Sequence, residues 1–489
     1  MATETTSSLN LRTDLFINGE FVPSASGKRF ATVNPATGET LAEVAEAGRE
    51  DLDRAVGAAR AAFESGPWAD MKPRQRGRIL MKAAELLLTR AEDFGRAETL
   101  DNGKPIFEAA KIDMPAAADC LAYFGESADK LYGDTFPGRP DAMLLTLREP
   151  VGVVGAITPW NFPLLQAMWK IAPALSLGNT VVLKPASVTP LTALLFAELL
   201  AEAGLPPGAF NVVPGPGALV GAAMAEHPGI DKISFTGETE TGKTILRAAA
   251  GTVKRVSMEL GGKSPNVVFA DADLDAAARG AVNAIFYGKG ELCSAGSRLL
   301  VEESAHDALL EKVVERAKKL VPADPLNPKT RLGSLVSDSQ RENVARYVES
   351  GKAEGAKLLA GGNRVSIDGK GAFFEATVFD GVTPGMTIAR EEIFGPVLAT
   401  LTFKDENDAV AIGNSTIYGL AAAVWSRDVK KALRAAKALK AGTVWINAYN
   451  LYDPGLPFGG YKQSGFGRER GHHALEEYTQ VKSIWVDLT

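Results

Sequence analysis

The run Gly152-Val-Val-Gly-Ala-Ile-Thr158 is apolar without alternation and is bounded by Gly and by Pro159. A strand with one wet face alternates polar and apolar side chains, so an unbroken run of this kind predicts a strand covered on both sides. The same signal returns at Val181-Val-Leu-Lys184, Phe210-Asn-Val-Val213 and Lys232-Ile-Ser-Phe235. Between the second and third runs, Pro190 opens the helical stretch LTALLFAELLAEA (191–203), which Gly204 closes. Strands alternating with helices predict a parallel α/β sheet with right-handed crossovers.

Outward from this core the grammar continues. From about residue 263, NVVF (266–269), AIFYG (284–288), SRLLVEE (297–303) and VWIN (444–447) carry a second alternating stretch. The chain is therefore read as two doubly wound α/β domains meeting near Gly261-Gly262. Upstream, residues 50–66 and 74–100 have helical apolar spacing. AMLLTLRE (142–149) and SIWVDL (483–488) are short and β-prone, and are expected to form a small β arm that pairs between subunits.

Composition excludes several classes. The 489 residues are 46% hydrophobic and 23% charged, which fits an ordinary globular protein of two or three domains. A net charge of −6 argues against a broad nucleic-acid footprint. Two cysteines, Cys120 and Cys293, cannot make a disulfide framework, so a reducing cytoplasm is the expected location. Four histidines (His227, His306, His472, His473) are too few for a dedicated zinc site, and no metal is expected. The opening MATETTSSLNLRTD has no apolar signal core, and no stretch approaches about 18 apolar residues, so no membrane association is expected.

Two glycine motifs could hold phosphates. Gly215-x-Gly217-x-x-x-Gly221 misses the dinucleotide spacing by one residue and reads as a turn. Gly237-Glu-Thr-Glu-Thr-Gly242-Lys243-Thr244 matches the P-loop pattern between a strand and a helix, which admits a P-loop NTPase. Against that, Glu238 and Glu240 would place two carboxylates in a cradle meant for phosphate. The same turn could present its helix N-terminus to a dinucleotide pyrophosphate instead.

Five segments settle the choice: Ile157-Thr-Pro-Trp-Asn-Phe-Pro163, Val182-Leu-Lys-Pro-Ala186, Met258-Glu-Leu-Gly-Gly-Lys-Ser-Pro265, Gly290-Glu-Leu-Cys-Ser-Ala-Gly-Ser-Arg298 and Glu391-Glu-Ile-Phe-Gly-Pro396. Together they resemble the aldehyde dehydrogenase superfamily, collinear from LFINGEF (15–21) to PFGGYKQSGFGRE (457–469). The resemblance implies a Rossmann-like NAD(P) domain (1–130 with 151–261), a catalytic domain (262–465) and an oligomerisation arm (131–150 with 466–489). It also implies a homodimer or homotetramer.

The chemistry suits the residues independently of the name. Aldehyde oxidation needs a nucleophile that makes the carbonyl carbon tetrahedral, and a thiol at Cys293 yields a thioester that water can open. Cys120, in MPAAADCLAYF, reads as core packing. The resemblance gives oxyanion stabilisation to Asn161 and the Cys293 N–H, and the base to Glu259, with Lys170 supporting it through a proton path. Glu259 also sets the chain apart from the CoA-acylating branch, which deacylates with a thiol. A cofactor-free cysteine esterase remains an alternative from the same set.

For the cofactor, the resemblance gives Lys184 the adenosine ribose and Glu392 the nicotinamide ribose. Trp160 and Phe394 would line the nicotinamide channel, Gly237 and Glu238 would sit beneath the pyrophosphate, and Thr158, Gly242 and Leu260 would complete the site. Ser187 stands where NAD-preferring members often carry a glutamate, so dual or NADP-tolerant specificity is expected. Gly288-Lys289 replaces a common Asn-Gln, and Glu291 would raise the thiol pKa if it faced inward. Phe162, Leu165, Gln166, Trp169, Tyr287, Leu292, Tyr452 and Phe458 form the expected tunnel for a medium aliphatic or aromatic aldehyde.

Overall fold

Val153–Ile157, the run that opened the reading, is buried along its whole length in the computed structural model, which describes residues 9–489. The polar opening read as lacking a signal core lies largely outside the described residues. Five parallel strands run Phe210–Val212, Thr180–Lys184, Val153–Ile157, Lys232–Thr236 and Arg255–Glu259 across the sheet. In chain order this is 3-2-1-4-5, the Rossmann arrangement, in which ligands sit beyond the strand carboxyl ends where the order reverses. That reversal lies between Val153–Ile157 and Lys232–Thr236, and the residues leaving those strands are Thr158-Pro159-Trp160-Asn161 and Gly237-Glu238. Leu15–Ile17 with Glu20–Val22 and Gly465–Phe466 add antiparallel edges, making eight strands.

A second sheet has seven strands, six of them parallel: Thr377–Asp380, Val397–Phe403, Arg298–Glu302, Pro265–Val268, Ala421–Trp425 and Thr443–Ile446. The two sheets are joined directly, because Arg255–Glu259 ends the first parallel set and Pro265–Val268 enters the second. AIFYG is the last turn of the helix Leu274–Phe286 and its exit.

The helix over Leu191–Ala203 ends at Gly204 in the left-handed region, as its pattern predicts. The stretch 74–100 is not one helix: Pro73–Thr89 and Ala91–Asn102 are separated at Arg90. The Thr89 hydroxyl donates back to the Leu86 carbonyl at 2.8 Å, a local bond that competes with the helical ladder. The weak motif at Gly215–Gly221 is a turn that becomes one wide helical turn over Gly217–Gly221 and then the short helix Ala222–Glu226.

Ala142–Pro150 and Thr479–Asp487 do form strands, and they pair antiparallel with each other over their full lengths, with Thr135–Phe136 on the outer edge. Between this arm and the first sheet, the helix Gly471–Glu477 contributes Ala474 and Leu475 to the first core. Among the described residues no helix is long and apolar enough to cross a membrane.

Candidate active site

Cys293 lies on the loop that leads into Arg298–Glu302 and is 7% exposed. Burial pushes its thiol well above the ordinary range, and the nearby Glu259 carboxyl adds to the shift. The loop lies against the crossover between the sheets: a Cβ on Gly262 would come within 2.3 Å of the Cys293 carbonyl oxygen. Only glycine permits that approach.

Asn161 donates from Nδ2 to the Glu291 carbonyl at 2.9 Å, and its second amide hydrogen has no partner among the described residues. Glu291 itself turns away from the nucleophile. Its carboxylate pairs with Lys289 at 2.8 Å and accepts from the Val336 N–H at 3.0 Å. The condition under which its charge would raise the thiol pKa, that it face inward, is therefore not met. Lys289 also donates to the Asn102 carbonyl and side chain, so the Gly288-Lys289 departure and Glu291 form one buried pair.

Glu259 ends its strand beside Thr236, its neighbour across the sheet, and its carboxyl is buried, with the Cys293 thiol and the Thr236 hydroxyl as the hydrogens offered to it. Burial, then the negative charge of Glu469, raise its pKa to about 8. The Lys170 charge and the hydrogens of Cys293 and Thr236 offset only part of this. Lys170 sits on the helix Pro163–Ser176, where it donates to Thr236 Oγ1 at 2.7 Å and pairs with Glu469. The chain of polar groups is thus Glu469, Lys170, Thr236, Glu259. Glu469 closes the GFGRE motif, and a lysine inside an otherwise apolar helix was the signal that a buried carboxylate had to exist.

Two cavities flank this centre. The larger, about 550 Å³, runs from the N-terminus of the helix Thr239–Ala249 past Trp160 and Phe394 to Glu259. The Trp160 and Phe394 rings meet edge-on at 5.1 Å, and Phe394 is held with φ +54° by Gln340, which donates to its carbonyl at 2.6 Å. Glu392 accepts the Gly262 N–H at 2.9 Å, and burial raises its pKa to about 7. The smaller cavity, about 250 Å³, is walled by aromatic rings, with Phe458 5.3 Å from Trp169 and 5.8 Å from Tyr452. Among the described residues Cys293 alone lines both.

A family model described as "Aldehyde dehydrogenase family" matches residues 21–484. The chain belongs to the aldehyde dehydrogenase family. It is 48% identical to the betaine aldehyde dehydrogenase of Bacillus subtilis over 96% of each chain. It is also 48% identical to the human mitochondrial aldehyde dehydrogenase, over 97% of this chain and 92% of that one. The solved indole-3-acetaldehyde dehydrogenase of P. syringae, a cysteine-to-alanine mutant in complex with NAD+ and IAA, superimposes with a TM-score of 0.98 at 47% identity, covering 99% of both chains. Membership makes the protein an NAD(P)-dependent aldehyde dehydrogenase in class, with an NAD-type cofactor.

Within that family frame, all eight residues expected to face the aldehyde line the smaller cavity. Of the expected cofactor residues, Trp160, Gly237, Glu238, Leu260, Glu392 and Phe394 line the larger one. Thr158, Lys184 and Ser187 continue beyond its lining along the strand ends: the Thr158 N–H donates to the Lys184 carbonyl, and Ser187 Oγ donates to the Gly215 carbonyl at 2.8 Å. Burial lowers the Lys184 pKa to about 8. Gly242 packs beneath Leu260, whose side chain a Cβ would meet at 2.7 Å. The P-loop match is explained as well, since Lys243 pairs with Glu240 at the surface at 2.7 Å. Cys120 is not only core packing: it is buried yet lines the aldehyde cavity, as does Arg470.

Proposed function

We propose that the protein oxidises an aldehyde to its carboxylic acid with NAD(P)+ through a thiohemiacetal and then a thioester on Cys293, and that Glu259 activates the hydrolytic water. The observation that carries this is the meeting of two cavities at one cysteine with a buried carboxyl beside it. The larger cavity suits a dinucleotide: the first N–H groups of Thr239–Ala249 have no helical acceptor, and the turn before them borders the cavity. Glu392 and the ring pair are placed to hold a ribose and a nicotinamide there, and bound nicotinamide would supply the hydride acceptor.

Glu259 takes the Cys293 proton, so the buried pair carries one negative charge rather than two. The sulfur then attacks the carbonyl carbon, and the displaced electron pair becomes an oxyanion facing the free Asn161 amide hydrogen and the Cys293 N–H. Collapse of this adduct, with loss of hydride from carbon, leaves the thioester. Once it has released the Cys293 proton to solvent, Glu259 removes a proton from water, whose oxygen attacks the thioester; the acid leaves, and the freed Cys293 thiolate takes that proton from Glu259. The Lys170–Thr236 contact holds polar hydrogens on the far side of that carboxyl. Aromatic walls suit a medium aliphatic or aromatic aldehyde.

With serine at 187, no carboxylate opposes a ribose 2′-phosphate, which supports dual NAD and NADP use. Met143, Val481 and Trp485 are 48%, 54% and 63% exposed on the arm, which supports a dimer or tetramer assembled through it in the cytoplasm. In this reading residues 1–130 with 151–261 form the NAD(P) domain, 262–465 the catalytic domain, and 131–150 with 466–489 the oligomerisation arm.

An aldehyde panel scored by reduced-nicotinamide absorbance with both cofactors tests the reading. Cys293→Ala should abolish NAD(P)H formation, and persistent turnover would refute the mechanism. Asn161→Ala should lower kcat by about 100- to 1,000-fold. Glu259→Gln should leave the first burst of NAD(P)H largely intact while slowing the steady state.

A further inference from the structure

Arg470 is held in the molecule under two penalties. Its backbone lies at φ 65°, ψ 166°, a region open in practice to glycine alone. Its side chain is also buried: the residue is 5% exposed, and among the described residues no carboxylate or carbonyl takes a hydrogen bond from its guanidinium. What it touches is aromatic, with the Trp169 ring centroid at 5.1 Å and that of Tyr452 at 5.3 Å. All three residues line the cavity that reaches Cys293. Nearby buried cations are different: Lys104 pairs with Glu98 and Asp113, and Lys289 with Glu291. A buried guanidinium without a partner is costly, and planar N–H edges between two rings are shaped for a carboxylate.

The acidic groups around the cavity do not meet that need. Asp113 is taken by Lys104 at 2.6 Å and by the Tyr287 hydroxyl at 3.0 Å. Asp119 and Asp453 are exposed at the rim, and Asp453 accepts the Gly455 N–H at 2.8 Å. Asp453 acts on Arg470 through space without forming a hydrogen bond to it, and its exposed position leaves that attraction partly screened.

We infer that Arg470 selects the substrate, and that the preferred aldehyde carries a carboxylate at the end remote from its carbonyl, so that the product is a dicarboxylate. This rests on the dehydrogenase reading above and narrows its substrate class. The reaction is unchanged, with Cys293 attacking the aldehyde carbon while the remote carboxylate keeps its charge against the guanidinium.

The test is kcat/KM for a series of unbranched ω-carboxy aldehydes, each beside its methyl ester, in the wild type and in Arg470→Gly, Arg470→Gln and Arg470→Lys. Arg470→Gly is the informative variant, because glycine accepts the backbone conformation and the fold should not suffer. The wild type should favour the carboxylate over the ester at least tenfold. That ratio should collapse by about 10- to 100-fold in the Gly and Gln variants, chiefly through KM, and return in part with Lys. A non-reacting fatty monocarboxylate should raise the wild-type Tm and leave Arg470→Gly unmoved. Equal losses on both series, or no preference in the wild type, would overturn the inference and leave Arg470 as a wall of the cavity. If no aldehyde of either series is oxidised with either cofactor, the dehydrogenase reading itself fails.

Discussion

Glu259 shows what a functional carboxyl costs its own fold. Unfolded, it ionises near the ordinary 4.5, whereas the folded group keeps its proton to about 8. Between those values the folded state binds more protons, so raising the pH destabilises it; the penalty is absent below 4.5 and complete above 8. Thermal melts of Glu259→Gln should therefore run above the wild type at pH 8 and converge with it toward pH 4.5. The same residue sets activity with the opposite sense. As a base it works only once deprotonated, so acyl-enzyme hydrolysis should climb with pH through about 8 and lose that limb in the variant. Cys293, Glu259 and Asn161 were legible because each stands in a string of unusual neighbours. Glu469 was not, since its meaning depends on reaching Lys170 across 299 positions of chain. The role of Cys120 was hidden by a helix pattern that looks the same whether the apolar face meets a core or a cavity.

At the scale of elements, the strand ends and the loops that follow them do most of the positioning. The helix Pro163–Ser176 turns Leu165, Gln166 and Trp169 into the aldehyde cavity, and Lys170, one turn beyond Gln166, sits at the edge of that face, from which its long side chain reaches Thr236. The crossover at Gly261-Gly262 is equally constrained, because a Cβ on Gly262 would strike the Cys293 carbonyl, a backbone atom that cannot yield cheaply. Gly262→Ala should cost about 1–3 kcal/mol in a denaturant melt and move the nucleophile enough to depress kcat with every aldehyde. Ser187, at the exit of Thr180–Lys184, tests cofactor choice. Ser187→Glu should raise the NAD-over-NADP ratio of kcat/KM at least tenfold through a higher KM for NADP, and a wild-type ratio already above about a thousandfold would count against dual use. The strands read correctly because their apolar runs are unbroken. The break at Arg90 left no Gly or Pro to announce it: Arg90 itself leaves helical geometry at φ −112°, ψ 16°, with the Thr89 hydroxyl turned back onto Leu86 beside it.

Across the whole molecule, the arm was legible as strands but not as a pair. Nothing in AMLLTLRE or SIWVDL names its partner, and the structure closes them on each other within one chain. An assembly through the arm, as proposed, would use its remaining edge or its exposed apolar side chains. Light scattering should show Val481→Arg with Trp485→Arg reduced to smaller particles than the wild type, with the secondary structure intact by circular dichroism; an unchanged mass would remove the arm from the assembly. The two chambers, which among the described residues share only Cys293, have a kinetic meaning as well. Neither ligand has to vacate space for the other, so the carboxylic acid product should compete with the aldehyde and act as a non-competitive inhibitor toward the dinucleotide. A tether joining analogues of the two would have to pass the sulfur itself.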